Sequence, residues 1–250
     1  MVKDPGQKNN MSLVVKKNML NTFLNILFPE SCPICLEPSS ENHTAPICAG
    51  CWQSIQPYDG PKCQKCGRPL NSDVSTLCGA CLEDNPAFDS ASSFGLYDGA
   101  LRKAINLMKY HNRKRLSKPL SDVLLRIIIP PVNAVLPVPL HKKRLREREF
   151  NQSALIAKHL AKNFRIPLHL DCLVKVKDTK PQVGLRSNER RKNLKKAFAV
   201  QKSDLIEGKD ILLIDDVVTT GATVRECSHV LKKAGAGDIH VITLAHGMID

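Results

Sequence analysis

Four aliphatic residues, Ile211-Leu212-Leu213-Ile214, run without a polar break into Asp215-Asp216 and then into Val217-Val218-Thr219-Thr220-Gly221-Ala222-Thr223. An apolar run of this length predicts a strand buried on both faces, as in a parallel sheet covered by helices. Val224, Cys227, Leu231 and Ala234 then recur at the spacing of one helical face. Strand, short polar turn and helix together confine the chain to an α/β fold. In open sheets of that class, ligands bind at the carboxyl ends of the strands.

The residue types in the turn have a chemistry of their own. Small Thr and Gly residues let backbone N–H groups converge on an anion, and the helix N-terminus adds partial positive charge. Val218, Thr219, Thr220, Gly221, Ala222 and Thr223 are therefore the expected phosphate seat. Asp215 and Asp216 repel phosphate, so their partners are sugar hydroxyls or a divalent cation. Adjacent carboxylates also repel each other, so removing both charges is expected to leave the empty protein equally stable or more so. A capped helix start behind an exposed strand end would share some of these residues. The apolar strand and acidic pair directly before it favour the ligand site. The segment resembles the 5-phosphoribosyl-1-pyrophosphate (PRPP) motif of type I phosphoribosyltransferases. That resemblance implies ribose on the acidic pair, the 5′-phosphate on the Thr-Gly loop, and Mg²⁺ bound with PRPP.

Eight cysteines form four C-x-x-C pairs: Cys32/Cys35, Cys48/Cys51, Cys63/Cys66 and Cys78/Cys81. Two such turns complete one tetrahedral thiolate site, so two structural zinc ions are expected. Sequential pairing of the turns needs no long-range threading and is the expected arrangement; interleaved pairing remains open. Few large apolar residues surround these cysteines, so metal must supply the stability of the segment. Its acidity suits a structural or protein-binding role.

Residues 1–18 are polar and lack the apolar run of a signal peptide. Met19 to Phe28 is too short to span a membrane and predicts a short amphipathic helix. No membrane span and a cytoplasmic location are expected. The domains read as a tail at 1–28, a zinc module at 29–86 and a catalytic-type domain at 87–250.

Net charge is +13, and residues 98–200 concentrate it, with 25 Lys and Arg against 7 Asp and Glu. Polyanions are the implied partners: PRPP, or single-stranded DNA along residues 98–200. Low aromatic content argues against a stacking groove for DNA. Leu101, Ala104, Ile105 and Met108 predict a helix; Leu120, Val123, Leu124, Ile127 and Ile128 predict another, stopped at Pro130-Pro131. Strands are expected at 134–139 and 172–176, and a helix at 154–161. This alternation implies a parallel sheet with helices on both faces. The charged run from His141 to Gln152 reads as a loop clamping pyrophosphate, with His141, Lys142, Lys143 and Arg148 its candidate residues. Residues 177–196 lack hydrophobic periodicity and read as a lid, with Lys180, Gln182, Arg186 and Arg190 facing the ligand.

Nearly the whole chain resembles the ComF family, competence-associated proteins with a cysteine-rich module before a phosphoribosyltransferase domain. The supporting residues are Tyr97…Leu101-Arg102 with Lys109-Tyr110, and Pro137-Val138-Pro139-Leu140 with Arg148…Phe150-Asn151-Gln152. Gln182…Leu185…Arg190…Asn193…Phe198 and the Asp215–Thr223 motif extend it. Glu149 and Lys196 stand where that family favours Gly. The resemblance implies transfer of a phosphoribosyl group with release of pyrophosphate, and DNA-uptake proteins as candidate partners of the zinc module. A non-catalytic PRPP sensor or single-stranded-DNA-binding competence factor is the alternative.

Overall fold

The computed structural model describes residues 30–39, 43–179 and 187–247. The expected helix at 19–28 and the candidate lid residues Lys180, Gln182 and Arg186 lie outside them. The chain forms two compact units, one ending at Ser54 and one beginning at Ile55.

The first unit holds Cys32, Cys35, Cys48 and Cys51. Cys32 opens a tight turn in which the Cys32 N–H donates to Glu37 O at 2.8 Å and Leu36 N–H to Cys32 O at 2.9 Å. Leu36 turns the chain with φ of 68°. Cys48 precedes the five-residue helix α1 (Ala49–Gln53).

The second unit opens with the same device. Cys63 N–H donates to Arg68 O and Gly67 N–H to Cys63 O, both at 2.8 Å, and Cys78 precedes α2 (Gly79–Glu83). The chain then builds β1 (Ser90–Leu96), α3 (Gly99–Tyr110), α4 (Ser117–Leu124), β2 (Ala134–Pro137), α5 (Lys142–Arg148) and α6 (Gln152–Phe164). It continues through β3 (Leu173–Lys175), α7 (Ser187–Leu194), β4 (Phe198–Val200), β5 (Ile211–Val218), α8 (Ala222–Lys233) and β6 (Ile239–His246). Strands β1, β6, β5 and β2 form, in that order, one parallel sheet. Central in the sheet and packed against α6 and α8, β5 is buried on both faces, which explains its unbroken apolar run. Ile211 and Leu213 join a core cluster with Val224, Cys227 and Leu231 of α8. The alternate residues of β5 point to the opposite face, where α3 lies: its Lys109 reaches Asp216.

Four sequence expectations are corrected here. Residues 172–176 do not enter the parallel sheet; β3 pairs antiparallel with β4 as a separate ribbon. Helix α4 stops at Leu124, ahead of Ile127, and Ile128 is exposed. The approach to Pro130-Pro131 disfavours helical backbone before those prolines. The presumed loop at 141–152 is largely the helix α5, capped by its own His141, whose Nδ1 accepts from Lys143 N–H at 3.4 Å. Part of the lid segment is the helix α7, a polar helix whose Leu194 is buried in the core.

The two departures from the family's glycines now have a physical meaning. Glu149 ends α5 with φ of 62°, and Lys196 has φ of 58°. Both are left-handed positions that glycine adopts without a Cβ penalty. Glu149→Gly should therefore stabilise the protein by roughly 0.5–1 kcal/mol, strain relief exceeding the entropic cost of glycine. Its exposed contacts to Lys114 and Asn112, both 3.3 Å, contribute little. Chemical denaturation checks this, and an unchanged or lower midpoint would count against it.

Candidate functional site

The carboxyl end of β5 opens into a cleft of about 280 Å³ floored by Asp215, Asp216 and residues 217–224. Side-chain alternation sends the two aspartates to opposite faces of the sheet, and each finds different company. Asp216 accepts an ion pair from Lys109 Nζ at 2.8 Å through Oδ1. Its Oδ2 is buried without a hydrogen-bond partner. Asp215 Oδ1 accepts from Ser153 Oγ at 3.0 Å and from the Asp216 N–H at 2.9 Å.

These surroundings set the charges. Burial, and then the neighbouring Asp216 carboxylate, push Asp215 up to about 7, while Lys109 acts in the opposite sense. Burial alone would lower Lys109, but the Asp216 and Asp215 carboxylates outweigh it and hold the ammonium form. The floor thus carries an ammonium held in its charged form beside Asp216, and one carboxyl, Asp215, that titrates near neutrality.

Gly221, at φ of 75°, turns the chain into α8. A left-handed turn leading into a helix start is backbone suited to presenting N–H groups to an anion, and Thr219, Thr220 and Thr223 line the cleft beside it. Thr220 Oγ1 accepts from the Ala222 N–H at 3.4 Å. From α7, Arg190 Nη1 donates to Thr219 Oγ1 at 2.6 Å, placing a cation at this seat.

Across the cleft stand Arg144 and Arg148, one turn apart on α5, and Lys175 from β3. Burial first, and then the charge of Arg144, lower Lys175 from its usual value. Cations crowded in this way favour an anion between them. Arg148 lies over the exposed Tyr110 ring at 5.0 Å and approaches Gln152 Oε1 at 3.4 Å.

The structure gathers Asp215, Asp216, Val218 to Thr223, Arg148 and Arg190 around one cleft. His141, Lys142 and Lys143 are not among its lining residues; His141 Nδ1 and Lys143 Nζ lie 3.5 and 3.8 Å from Asp178. Sequence reasoning did not single out Lys175 or give Lys109 a role beyond the family resemblance, and it took Arg144 only as part of the basic run from His141 to Gln152. A helical reading of 142–148 would have found Arg144, because positions 144 and 148 share a face. Lys109 sits just past the apolar stripe of α3, and its sequence neighbours give no hint of Asp216.

The cysteines separate as sequential pairs. Cys32, Cys35, Cys48 and Cys51 form one cluster and Cys63, Cys66, Cys78 and Cys81 the other, with the sulfurs of each within 4.8 Å of one another. Backbone N–H donors overcome the cost of burial at the first cysteine of each cluster, drawing Cys32 to about 6 and Cys63 to about 7. Converging thiols with such donors fit tetrahedral zinc. Among the described residues no helix is long and apolar enough to cross a membrane.

Fold and site define a phosphoribosyltransferase-type domain accompanied by two four-cysteine zinc-ribbon sites. Residues 151–250 match the phosphoribosyl transferase domain family, and residues 23–82 the double zinc ribbon domain family. The chain is 33% identical over 209 residues to "Competence protein F" of Haemophilus influenzae, covering 80% of this chain and 90% of that protein. It is 28% identical over 221 residues to "DNA utilization protein YhgH" of Escherichia coli, covering 85% and 95% respectively. With "Competence protein ComFC" of Bacillus subtilis the identity is 26% over 209 residues, covering 79% and 83%. The chain belongs to the ComF family of competence proteins.

Proposed function

We propose that the cleft binds PRPP with Mg²⁺ and transfers its phosphoribosyl group to an acceptor, releasing pyrophosphate. The observation that carries this reading is the juxtaposition of the Thr219–Thr223 seat with the acidic pair and a separate basic cluster. The seat takes the 5′-phosphate, Asp215 and Asp216 take the ribose hydroxyls, and Arg144, Arg148 and Lys175 take the pyrophosphate. Carboxylate oxygens, including the unpartnered Asp216 Oδ2, also suit a hard cation that arrives with a polyphosphate. Asp215 and Asp216 would hold the Mg²⁺ that accompanies PRPP, and the ion would offset the charge of the polyphosphate.

In the transfer, an acceptor lone pair forms the bond to the anomeric carbon as the bond from that carbon to pyrophosphate oxygen breaks. The bonding electrons leave on pyrophosphate. Asp215 and Asp216, below the sugar, favour the positive charge that develops there, and the basic cluster favours the departing anion. Calorimetric titration with PRPP and Mg²⁺ tests the reading. Thr219→Val should weaken both PRPP and ribose 5-phosphate by about fivefold or more, the loss of one hydrogen bond to a charged group. Absence of PRPP binding by the parent would reject it.

A second reading is a PRPP-responsive binder of single-stranded DNA. The exposed Tyr110 ring beneath Arg148 supplies a stacking platform in a basic setting, and the relatives' names speak of competence and DNA utilization. Oligonucleotide anisotropy should then show an affinity that falls steeply with salt, reduced about fivefold or more by Tyr110→Ala. Salt-insensitive or Tyr110-independent binding would argue against it.

A further inference from the structure

The second cysteine cluster is tied to both helices that frame the phosphate seat. Asp84 directly follows α2, the short helix that carries Cys81. Its Oδ2 accepts from Arg191 Nη1 of α7 at 3.0 Å and from Arg225 Nη1 of α8 at 3.2 Å. Arg225 Nη1 also donates to the Asp84 carbonyl at 2.6 Å, and its Nη2 donates to Ala80 O at 3.1 Å and to Cys81 Sγ at 3.5 Å. Arg225 is mostly buried, with 12% of its side chain exposed. Arg191 is the sequence neighbour of Arg190, which holds Thr219.

The opposite side of the cluster is fixed just as closely. Ala91 N–H in β1 donates to Lys65 O at 2.9 Å. A Cβ on Gly67 would lie 2.6 Å from Ala91 O, so the cysteine turn reaches the strand only through glycine. Cys66 packs on the core cluster that includes Val218, Ala222 and Val224.

We propose that Asp84 and Arg225 are positioning residues that couple zinc occupancy at Cys63, Cys66, Cys78 and Cys81 to anion affinity at the phosphate seat. Zinc orders α2 and so fixes Asp84. Asp84 then holds α7, which delivers Arg190, and α8, whose N-terminus forms the seat. Arg225 meanwhile lies against a thiolate of the metal site, so its charge serves the zinc centre and the helix together. Linkage between two sites is reciprocal, so an anion in the seat must also raise the zinc affinity of this cluster by the same factor. This coupling rests on the phosphate-seat reading and adds regulation by metal.

The test measures zinc partition at equilibrium between the full chain and a chromogenic chelator, with and without ribose 5-phosphate. That probe has no pyrophosphate, which would itself bind zinc. One of the two zinc ions should be held at least fivefold more tightly when the probe is present, the lower range of ordinary coupling. Asp84→Ala and Arg225→Met should retain both zinc ions by elemental analysis yet lose this gain and bind PRPP at least fivefold more weakly. Arg225→Lys, which keeps the charge, should restore part of both effects.

If the parent binds ribose 5-phosphate while both zinc ions are held with unchanged affinity, the coupling is overturned. If the parent binds neither sugar phosphate, the reading of the cleft fails instead. Amide exchange of the ligand-free protein then decides the coupling. Faster exchange across residues 187–194 and 219–225 in Asp84→Ala supports it, and unchanged exchange overturns it.

Discussion

At pH 8, Asp215→Asn should stabilise the ligand-free protein, whereas Asp216→Asn should destabilise it. Symmetric repulsion between adjacent carboxylates would make both substitutions neutral or favourable, but the structure makes the pair unequal. Asp215 is buried beside Asp216 and raised to about 7. A carboxyl raised on folding favours the native state at low pH, and that contribution is lost as pH climbs through the folded value. The parent should therefore lose stability between pH 6 and 8 relative to Asp215→Asn, which should gain about 1–2 kcal/mol at pH 8.

Asp216 answers the buried Lys109 at 2.8 Å. Its neutralisation leaves an ammonium short of a partner, a change that typically costs about 3–5 kcal/mol. The lower end applies here, because Asp215 remains close and would ionise more readily. Both variants should bind PRPP at least tenfold more weakly, since each removes a charged acceptor for ribose hydroxyls. Urea denaturation at pH 6 and pH 8, with calorimetry beside it, measures all of these effects. Equal shifts for the two variants would mean that Lys109 does not distinguish them.

Zinc extraction should have the largest effect on the segment up to Ser54. Beyond Cys32, its buried apolar residues among those described are Ala45, Pro46 and Ile47, far too few for a stable core. Structural zinc contributes on the order of 10 kcal/mol to domains of this kind. Chelation should abolish the exchange protection of residues 43–54, while β5 and β6 retain theirs. Two zinc ions per chain are the expected content of replete protein. Intact protection at 43–54 in metal-free protein would contradict a metal-dependent fold.

The sequence was most legible where one physical constraint dominated. Ile211 to Ile214 could only be a buried strand, and the small residues after Asp216 could only be a tight turn into a helix. Cysteine spacing gave the two metal clusters because a C-x-x-C turn aims two sulfurs at one point. Legibility failed where function depends on partners distant in sequence. Nothing beside Lys109 announces Asp216, and nothing beside Arg191 or Arg225 announces Asp84. The run from Lys142 to Arg148 looked like a loop because it carries only one apolar residue, Leu145, to mark helical periodicity. Helix α7 hid for the same reason: arginine contacts and a single buried leucine hold it in place. Strand β3 was seen as a strand, but three residues could not reveal that its neighbour is antiparallel.

The two cysteine turns follow one blueprint, with a left-handed residue closing each: Leu36 in the first and Gly67 in the second. They are nevertheless not interchangeable parts. The first tolerates a bulky residue at that corner, and its leucine projects into solvent. The second has been machined to fit a neighbouring strand, so a leucine grafted there would drive its Cβ into the Ala91 carbonyl. One copy is thus free to drift in sequence, while its twin is held to glycine by the sheet it touches.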